Sequence, residues 1–414
     1  MLGALLLAGL MGIDTENTVA YQGFTLLFFL LASALILSVT FRARFTASRR
    51  LPRFGTAGES FEYRIVVRNL GRSIQAGLTV MENLVNPIPS FHDWRSSQMA
   101  EERRSFRLIQ DRRANPFKLA AFREARLPAI PPGGESDTSM TITPLRRGTL
   151  KFAGVTVART DPLGLLRALV KVSIPLQTVL VLPRRFALPP IPLPGTVKYQ
   201  ERGVALASSV GQSDEFVSLR DYRRGDPLRH IHWRSWAKAG KPIVKEFEDE
   251  FFVRHALVLD TFSDDPHGDV FEDAVSLAAS FASTISSQES LLDLLFVGRE
   301  AYCFTAGRGV AHADQLLEVL ASVRVCREFG FDALDSLVIE HLAVVSGCVF
   351  VLQSWNQERQ ELIRKLKAVG VPVRVFVIVA DGEPTGLDPG PMHDEPDCFH
   401  VLTAGRVQQD LARL

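Results

Sequence analysis

From Val253 onward the chain alternates short, wholly apolar runs with longer amphipathic ones. That rhythm constrains the fold more than any other feature of the 414 residues. VRHALVLD, LLDLLFVG, GCVFVLQSW and PVRVFVIVA are apolar without period-two alternation, as strands covered on both faces must be. Between them VFEDAVSLAASFASTISS, ADQLLEVLASVRV, FDALDSLVIEHLA and NQERQELIRKLKAVG have helical spacing, the last ending at a glycine cap. Strands alternating with helices predict a doubly wound, largely parallel α/β domain, here over residues 252–414. CFHVLTAG is a candidate last strand.

The preceding half has a different period. ESFEYRIVVRNLG alternates polar and apolar residues and stops at Asn69-Leu70-Gly71, a turn signal. AGLTVMENLV, SDTSMTITPLRRGTLKFAGVTVARTDPLGLL and VSIPLQTVLVLP continue the pattern, so residues 52–190 read as an all-β sandwich. An arginine-rich excursion, Arg95 to Arg126, interrupts it as a long hairpin or a surface helix. ALPPIPLPG, Ala187 to Gly195, reads as a stiff linker and a domain boundary.

At the N-terminus, Tyr21 to Phe41 carries no charge and has about the length of a helix that crosses a ~30 Å hydrocarbon core. With the shorter apolar MLGALLLAGLMGI before it, the segment reads as a transmembrane helix or a two-helix hairpin, and residues 1–50 as a membrane anchor. A cleaved signal peptide would need a basic stretch ahead of the apolar run. Arg42, Arg44, Arg49, Arg50 and Arg53 follow the span, and the positive-inside rule then places the soluble domains on the cytoplasmic side of an inner membrane.

The four cysteines, Cys303, Cys326, Cys348 and Cys398, form no CxxC pair, which argues against a disulfide framework and a cysteine zinc site. A formal net charge of +1 does not advertise nucleic-acid binding. There is no GxxxxGK[ST] phosphate loop and no GxSxG elbow. Ser263 and His267 lie close in sequence without forming a triad.

Open α/β sheets bind ligands beyond the carboxyl ends of their strands. The first such end is Asp260, followed by TFSDD. Asp260, Ser263, Asp264 and Asp265 are the oxygen-bearing candidates for Mg²⁺ there, while Phe262 cannot ligate. Asp381, in ADGEP, is a weaker candidate at another strand end. His230 and His232 at i, i+2 could join Asp226 on one metal, or pack beside Trp233 and Trp236.

Between the two halves stands SDEFVSLRDYRRGDPLRHIHWRSWAKAGKPIVKEFEDEF. From Arg220 to Lys245 it holds eight Lys/Arg against two Asp, with Tyr222, Trp233 and Trp236 interleaved. Basic grooves with aromatic platforms bind single strands, but the acidic exit EFEDE repels phosphate. The segment resembles the signature of the bacterial family called domain of unknown function 58. It does so through Gly211, Glu215-Phe216, Leu219-Arg220-Asp221-Tyr222, Gly225-Asp226, Arg229, Ile231, Trp233, Ala237, Gly240 and Lys245-Glu246, with His232 where the family commonly has Asp. RRGTLKFAGVTVARTDPLGLL looks like the family's lead-in.

The resemblance implies a signature segment over 193–251 and, after it, a domain similar to von Willebrand factor A. Such domains often hold a metal at Asp-x-Ser-x-Ser. Here the stretch is DTFSD, and Gln353-Ser354 stand where a later Asp-Gly is expected, so a degraded metal site and no resident cofactor follow. It also implies association with a MoxR-type AAA+ ATPase. The expectation is therefore a membrane-anchored adaptor with no enzymatic activity. The alternatives are a metal-dependent hydrolase on Asp260, Asp264 and Asp265, or an envelope-related scaffold without an ATPase. Within the signature, Arg220, Asp226 and Arg229 could form an ion-pair lattice at a domain junction with Trp233 as its apolar anchor. The competing role is a partner-docking patch.

Overall fold

The structure is a computed structural model. It describes residues 18–39, 43–85, 117–192, 210–224, 228–251, 254–263, 268–285, 291–306, 310–382 and 386–414, with a few single positions between them. The chain divides into two units, Met1–Leu182 and Pro183–Leu414. Strands dominate the elements of the first.

The first unit corrects the membrane expectation. Among the described residues no helix is long and apolar enough to cross a membrane. Helix α1 (Thr18–Val39) is present. Its C-terminal end also lies against strands: Leu37 and Ser38 line a small hollow with Phe41, Arg159, Asp161 and Ala168. The Arg159 guanidinium sits 5.1 Å from the centre of the Phe41 ring. Arg49 and Arg50, which the sequence places in an anchor ending at residue 50, instead close strand β1 (Phe45–Arg50). No hairpin partner is found among the described residues, and MLGALLLAGLMGI lies outside them.

Two sheets follow. One has the order β1-β3-β7-β5, with β3 at Phe61–Asn69, β5 at Ala120–Phe122 and β7 at Glu135–Pro144. The other has the order β2-β9-β8-β4-β6, with β2 at Phe54–Thr56, β4 at Leu78–Leu84, β6 at Ala125–Leu127, β8 at Gly148–Thr160 and β9 at Arg167–Leu182. Period-two alternation puts Tyr63, Ile65 and Val67 inward from β3 and Val155 and Val157 inward from β8, giving one shared apolar core. Inside it Arg49 pairs with Glu82, both side chains fully enclosed. The Tyr63 hydroxyl donates to Glu82 at 2.7 Å, and Arg49 Nη2 donates to the Phe152 carbonyl at 2.6 Å. Burial and the Glu82 carboxylate push the Tyr63 phenol pKa up, so it stays a donor. In TDPLGLL, Asp161 accepts from the Leu163 and Leu166 amides at 3.0 and 2.6 Å, which makes that motif the β8–β9 turn. Most of the arginine-rich excursion lies outside the described residues.

The second unit holds a six-stranded sheet of order β14-β13-β12-β15-β16-β17. Its strands are β12 (Arg254–Leu259), β13 (Leu291–Val297), β14 (Ala301–Ala306), β15 (Gly347–Leu352), β16 (Val373–Val379) and β17 (Phe399–Thr403). All neighbours are parallel except β13 and β14. The short polar connection Gly298–Glu300 explains the exception, since only an antiparallel pair closes over so few residues. Ala256, Val258, Phe350 and Val375 share a cluster with Leu334, Leu337, Leu362 and Leu366 from helices that follow. The opposite face meets another helix, where Phe281 packs 5.1 Å from Phe376.

The proline-rich segment is part of this unit rather than a free spacer. The Phe186 amide donates to Ser280 Oγ at 2.7 Å, and Ala187 exchanges two hydrogen bonds with the Gln408 side chain at 2.8 and 3.1 Å. A Cβ at Gly347 would collide with the Pro194 carbonyl oxygen, so glycine opens β15 because the segment passes directly over it.

Candidate functional site

Strand order reverses at β12, with β13 on one side and β15 on the other. This switch point is where an α/β crevice opens, and Asp260 and Gln353 stand at its two strand ends. Asp260 is fully buried. Its Oδ1 accepts from the Phe262 amide at 3.0 Å and its Oδ2 from the Gln353 amide at 3.2 Å. The decisive contact is Arg359, whose Nε donates to Asp260 Oδ2 at 2.8 Å.

Arg359 is the third residue of helix α3 (Gln357–Ala368). Asn356 caps this helix by accepting from the Arg359 amide at 3.2 Å, which fixes where the arginine starts. The guanidinium is buried and lies 4.6 Å from the centre of the Phe331 ring, which in turn meets Phe262 at 5.8 Å. Gln353 Nε2 closes the assembly on the Asp260 carbonyl at 2.7 Å.

The carboxylate that would begin a metal site is therefore already neutralised by a fixed cation, and its lone pairs are directed at N–H groups. This donor set does not fit a divalent ion. Phe262 faces the core rather than the crevice. Ser263 is half-buried. Asp264, Asp265 and His267 lie outside the described residues. Asp381 is exposed and pairs with Arg406 at 3.8 Å. A second buried carboxylate, Asp293, is likewise held by Arg254 at 2.6 and 3.0 Å and by Thr305 at 2.6 Å.

The signature segment folds as a two-stranded antiparallel ribbon, β10 (Val210–Asp221) and β11 (Ile243–Phe251), with Leu219 opposite Lys245 and Ser218 opposite Glu246. A short helix, α2 (Trp233–Ala239), fills its tip. Gly240 ends that helix at φ +69°, donating to the Trp236 carbonyl at 2.9 Å, a left-handed cap that favours glycine. The His232 amide donates to the Ile243 carbonyl at 2.8 Å, and buried Ile231 bridges to buried Val244. The Tyr222 amide donates to the Pro242 carbonyl at 3.0 Å.

Arg220 grips Asp226 with two hydrogen bonds of 2.7 and 2.9 Å, and the Arg223 amide adds a third at 2.7 Å. These donors hold the Asp226 pKa down at about 2. Arg229 does not join them; its Nε donates to His230 at 3.2 Å. His232 pairs with Ser235 at 2.7 Å. The two histidines and Asp226 thus have separate partners and do not converge on a metal. Trp233, expected either as the apolar anchor of a domain junction or in a docking patch, is 65% exposed and stacks on Trp236 at 5.3 Å. Lys245 is half-buried, the Glu246 side chain and Gly225 lie outside the described residues.

Arg359 is the residue the sequence did not disclose. Its only local signal was an arginine one turn inside a helix whose other inward positions are Leu362, Ile363 and Leu366.

The solved structures that resemble the chain do so faintly. The CARDB domain of a Pyrococcus furiosus protein is 12% identical, with 32% of this chain and 94% of that one covered at a TM-score of 0.17. A cohesin module from Clostridium perfringens is 10% identical, with 34% and 98% covered at 0.16. Scores so low carry no argument about fold or function. A curated relative, an uncharacterized protein named YeaD from Bacillus subtilis (strain 168), is 29% identical over 179 residues, 42% of each chain. The match thus spans less than half the length of that relative. Residues 218–387, which contain the ribbon tip, Asp260, Gln353 and Arg359, match the model for the family described as protein of unknown function DUF58, and over that region the chain is similar to it.

Proposed function

We propose that this chain is a non-enzymatic interaction protein, an adaptor for a MoxR-type AAA+ ATPase in an assembly or chaperone-like role. The observation that carries the reading is the Asp260–Arg359 pair at 2.8 Å. A carboxylate saturated by a guanidinium and two amides offers nothing to a Lewis acid or to a proton in flight. The strand ends are therefore a rigid, internally neutralised platform. A six-stranded sheet with one antiparallel edge also supports a von Willebrand factor A-like reading, a type of domain that usually binds partners. The ATPase is named by family resemblance.

Two measurements on the full chain test this. Sedimentation with a purified MoxR-type ATPase, with and without ATP, is expected to show a complex. Failure with both would remove the ATPase and leave a scaffold role. Calorimetry with Mg²⁺ and Mn²⁺ is expected to give no heat. Heat that disappears in Asp260→Ala would replace the adaptor reading with the metal-dependent hydrolase.

A further inference from the structure

The ribbon tip combines three properties that rarely coincide on a surface with no role. Leu228 and Trp233 are 69% and 65% exposed, so two large apolar side chains are left in water. The segment from Arg220 to Lys245 carries eight Lys/Arg against two Asp, an excess of six positive charges. Both acids are also spent locally: Asp226 on Arg220, and Asp221 on Lys241 at 2.6 Å. Arg224, Arg229, Arg234 and Lys238 are exposed in the same segment.

The platform is built rather than loose. Gly240 stops the helix, Ile231 and Val244 pin its base, and Trp236 holds Trp233 at an interplanar angle of 15°. A pre-ordered aromatic in an arginine-rich segment has the composition of a binding hot spot, since little side-chain entropy remains to be lost on docking. Excess positive charge selects and steers an acidic partner. Single-stranded nucleic acid fits less well. Successive bases need separate aromatic faces, whereas these two indoles stack on each other.

We infer that the ribbon tip is the docking surface for an acidic protein segment that seats an apolar side chain on Trp233 and its carboxylates on Arg224, Arg234 and Lys238. The inference rests on the interaction reading above and deepens it by naming the surface and the chemistry of its partner.

The test uses the full chain and a fluorescein-labelled peptide of Glu and Leu, with the counterpart that has Lys in place of every Glu and keeps every Leu as control. Anisotropy is expected to show saturable binding of the Glu peptide alone, weakened by salt, with tryptophan emission moving to shorter wavelength. Trp233→Ala and the pair Arg234→Glu/Lys238→Glu are each expected to weaken binding by about tenfold or more. Lys238→Glu alone is the second variant should either lower the melting temperature, because its side chain is exposed. No binding of the Glu peptide, or unchanged binding in the variants, overturns the inference. So does tighter binding of oligothymidylate or of phosphatidylglycerol vesicles with the same dependence on Trp233. An ATPase complex that survives Arg234→Glu/Lys238→Glu would sink this surface while leaving the adaptor reading intact.

Discussion

Asp260 and Glu82 meet the same physical problem in different units: each is a carboxylate removed from water, and each is answered by one arginine. At Asp260 the answer is Arg359, with both side chains almost wholly enclosed. Removing one partner of such a pair leaves an uncompensated charge, so Arg359→Ala is expected to cost about 3–5 kcal/mol, read from the urea midpoint of the transition that includes the Pro183–Leu414 unit. A cost below about 1 kcal/mol would mean that Asp260 does not depend on the guanidinium. Glu82 is held by Arg49 and the Tyr63 hydroxyl. Replacing Arg49 and Glu82 together by Met and Leu is expected to be neutral or stabilising, whereas Glu82→Ala alone should destabilise by several kcal/mol. Denaturant titration of the single and double variants checks this. A double variant as unstable as the single one would show that the pair itself, not the cost of breaking it, sustains the sandwich.

Among the elements, the ribbon and the proline-rich strap depend on single small contacts. Asp226 is held at a pKa of about 2, below its ordinary value of 3.8. Its contribution is therefore fully present above 3.8 and fades as pH falls toward 2, when the carboxylate gains a proton and Arg220 loses its partner. Protection of the Arg223 amide from exchange, relative to its intrinsic rate at each pH, is expected to fall across that interval and in Asp226→Asn at neutral pH. Unchanged protection would show that the backbone alone shapes the turn. At the strap, Gly347→Ala forces a methyl against the Pro194 carbonyl, at an expected cost of about 1–3 kcal/mol. Limited proteolysis is expected to cut the Ala187–Pro194 stretch faster in that variant. An identical cleavage pattern would show that the strap has room to move aside.

On the scale of the molecule, acid acts on the second unit through two histidines. Burial lowers the pKa of His255 from 6.5 to about 4, and burial with the adjacent Arg374 does the same for His400. Below 6.5 the unfolded chain binds protons that the native one refuses, so stability falls as pH drops from 6.5 toward 4 and levels off beneath that. For His255, which is almost fully enclosed, the loss is on the order of 3 kcal/mol, and for the more exposed His400 it is smaller. The melting temperature is expected to fall over this window, and His255→Phe should flatten the fall. A flat profile in the parent chain would refute the account. Apolar periodicity marked the positions of the strands and helices, because which face of an element is covered depends mainly on its own side chains and their spacing. Arg220 and Asp226 pair six residues apart, a local contact, while Arg229, expected in the same lattice, bonds His230 instead. The membrane expectation failed because an uncharged run fixes hydropathy, not what the end of its helix rests on. Charged residues were read least well. Arg359 reaches Asp260 across 99 positions, and Arg49 reaches Glu82 across 33. The sequence alone determined the periodic pattern and the local turns of this protein. Only the tertiary structure decided which charges neutralise one another and that Trp233 stays in water, because such pairings are set by the packing of distant elements and not by spacing along the chain.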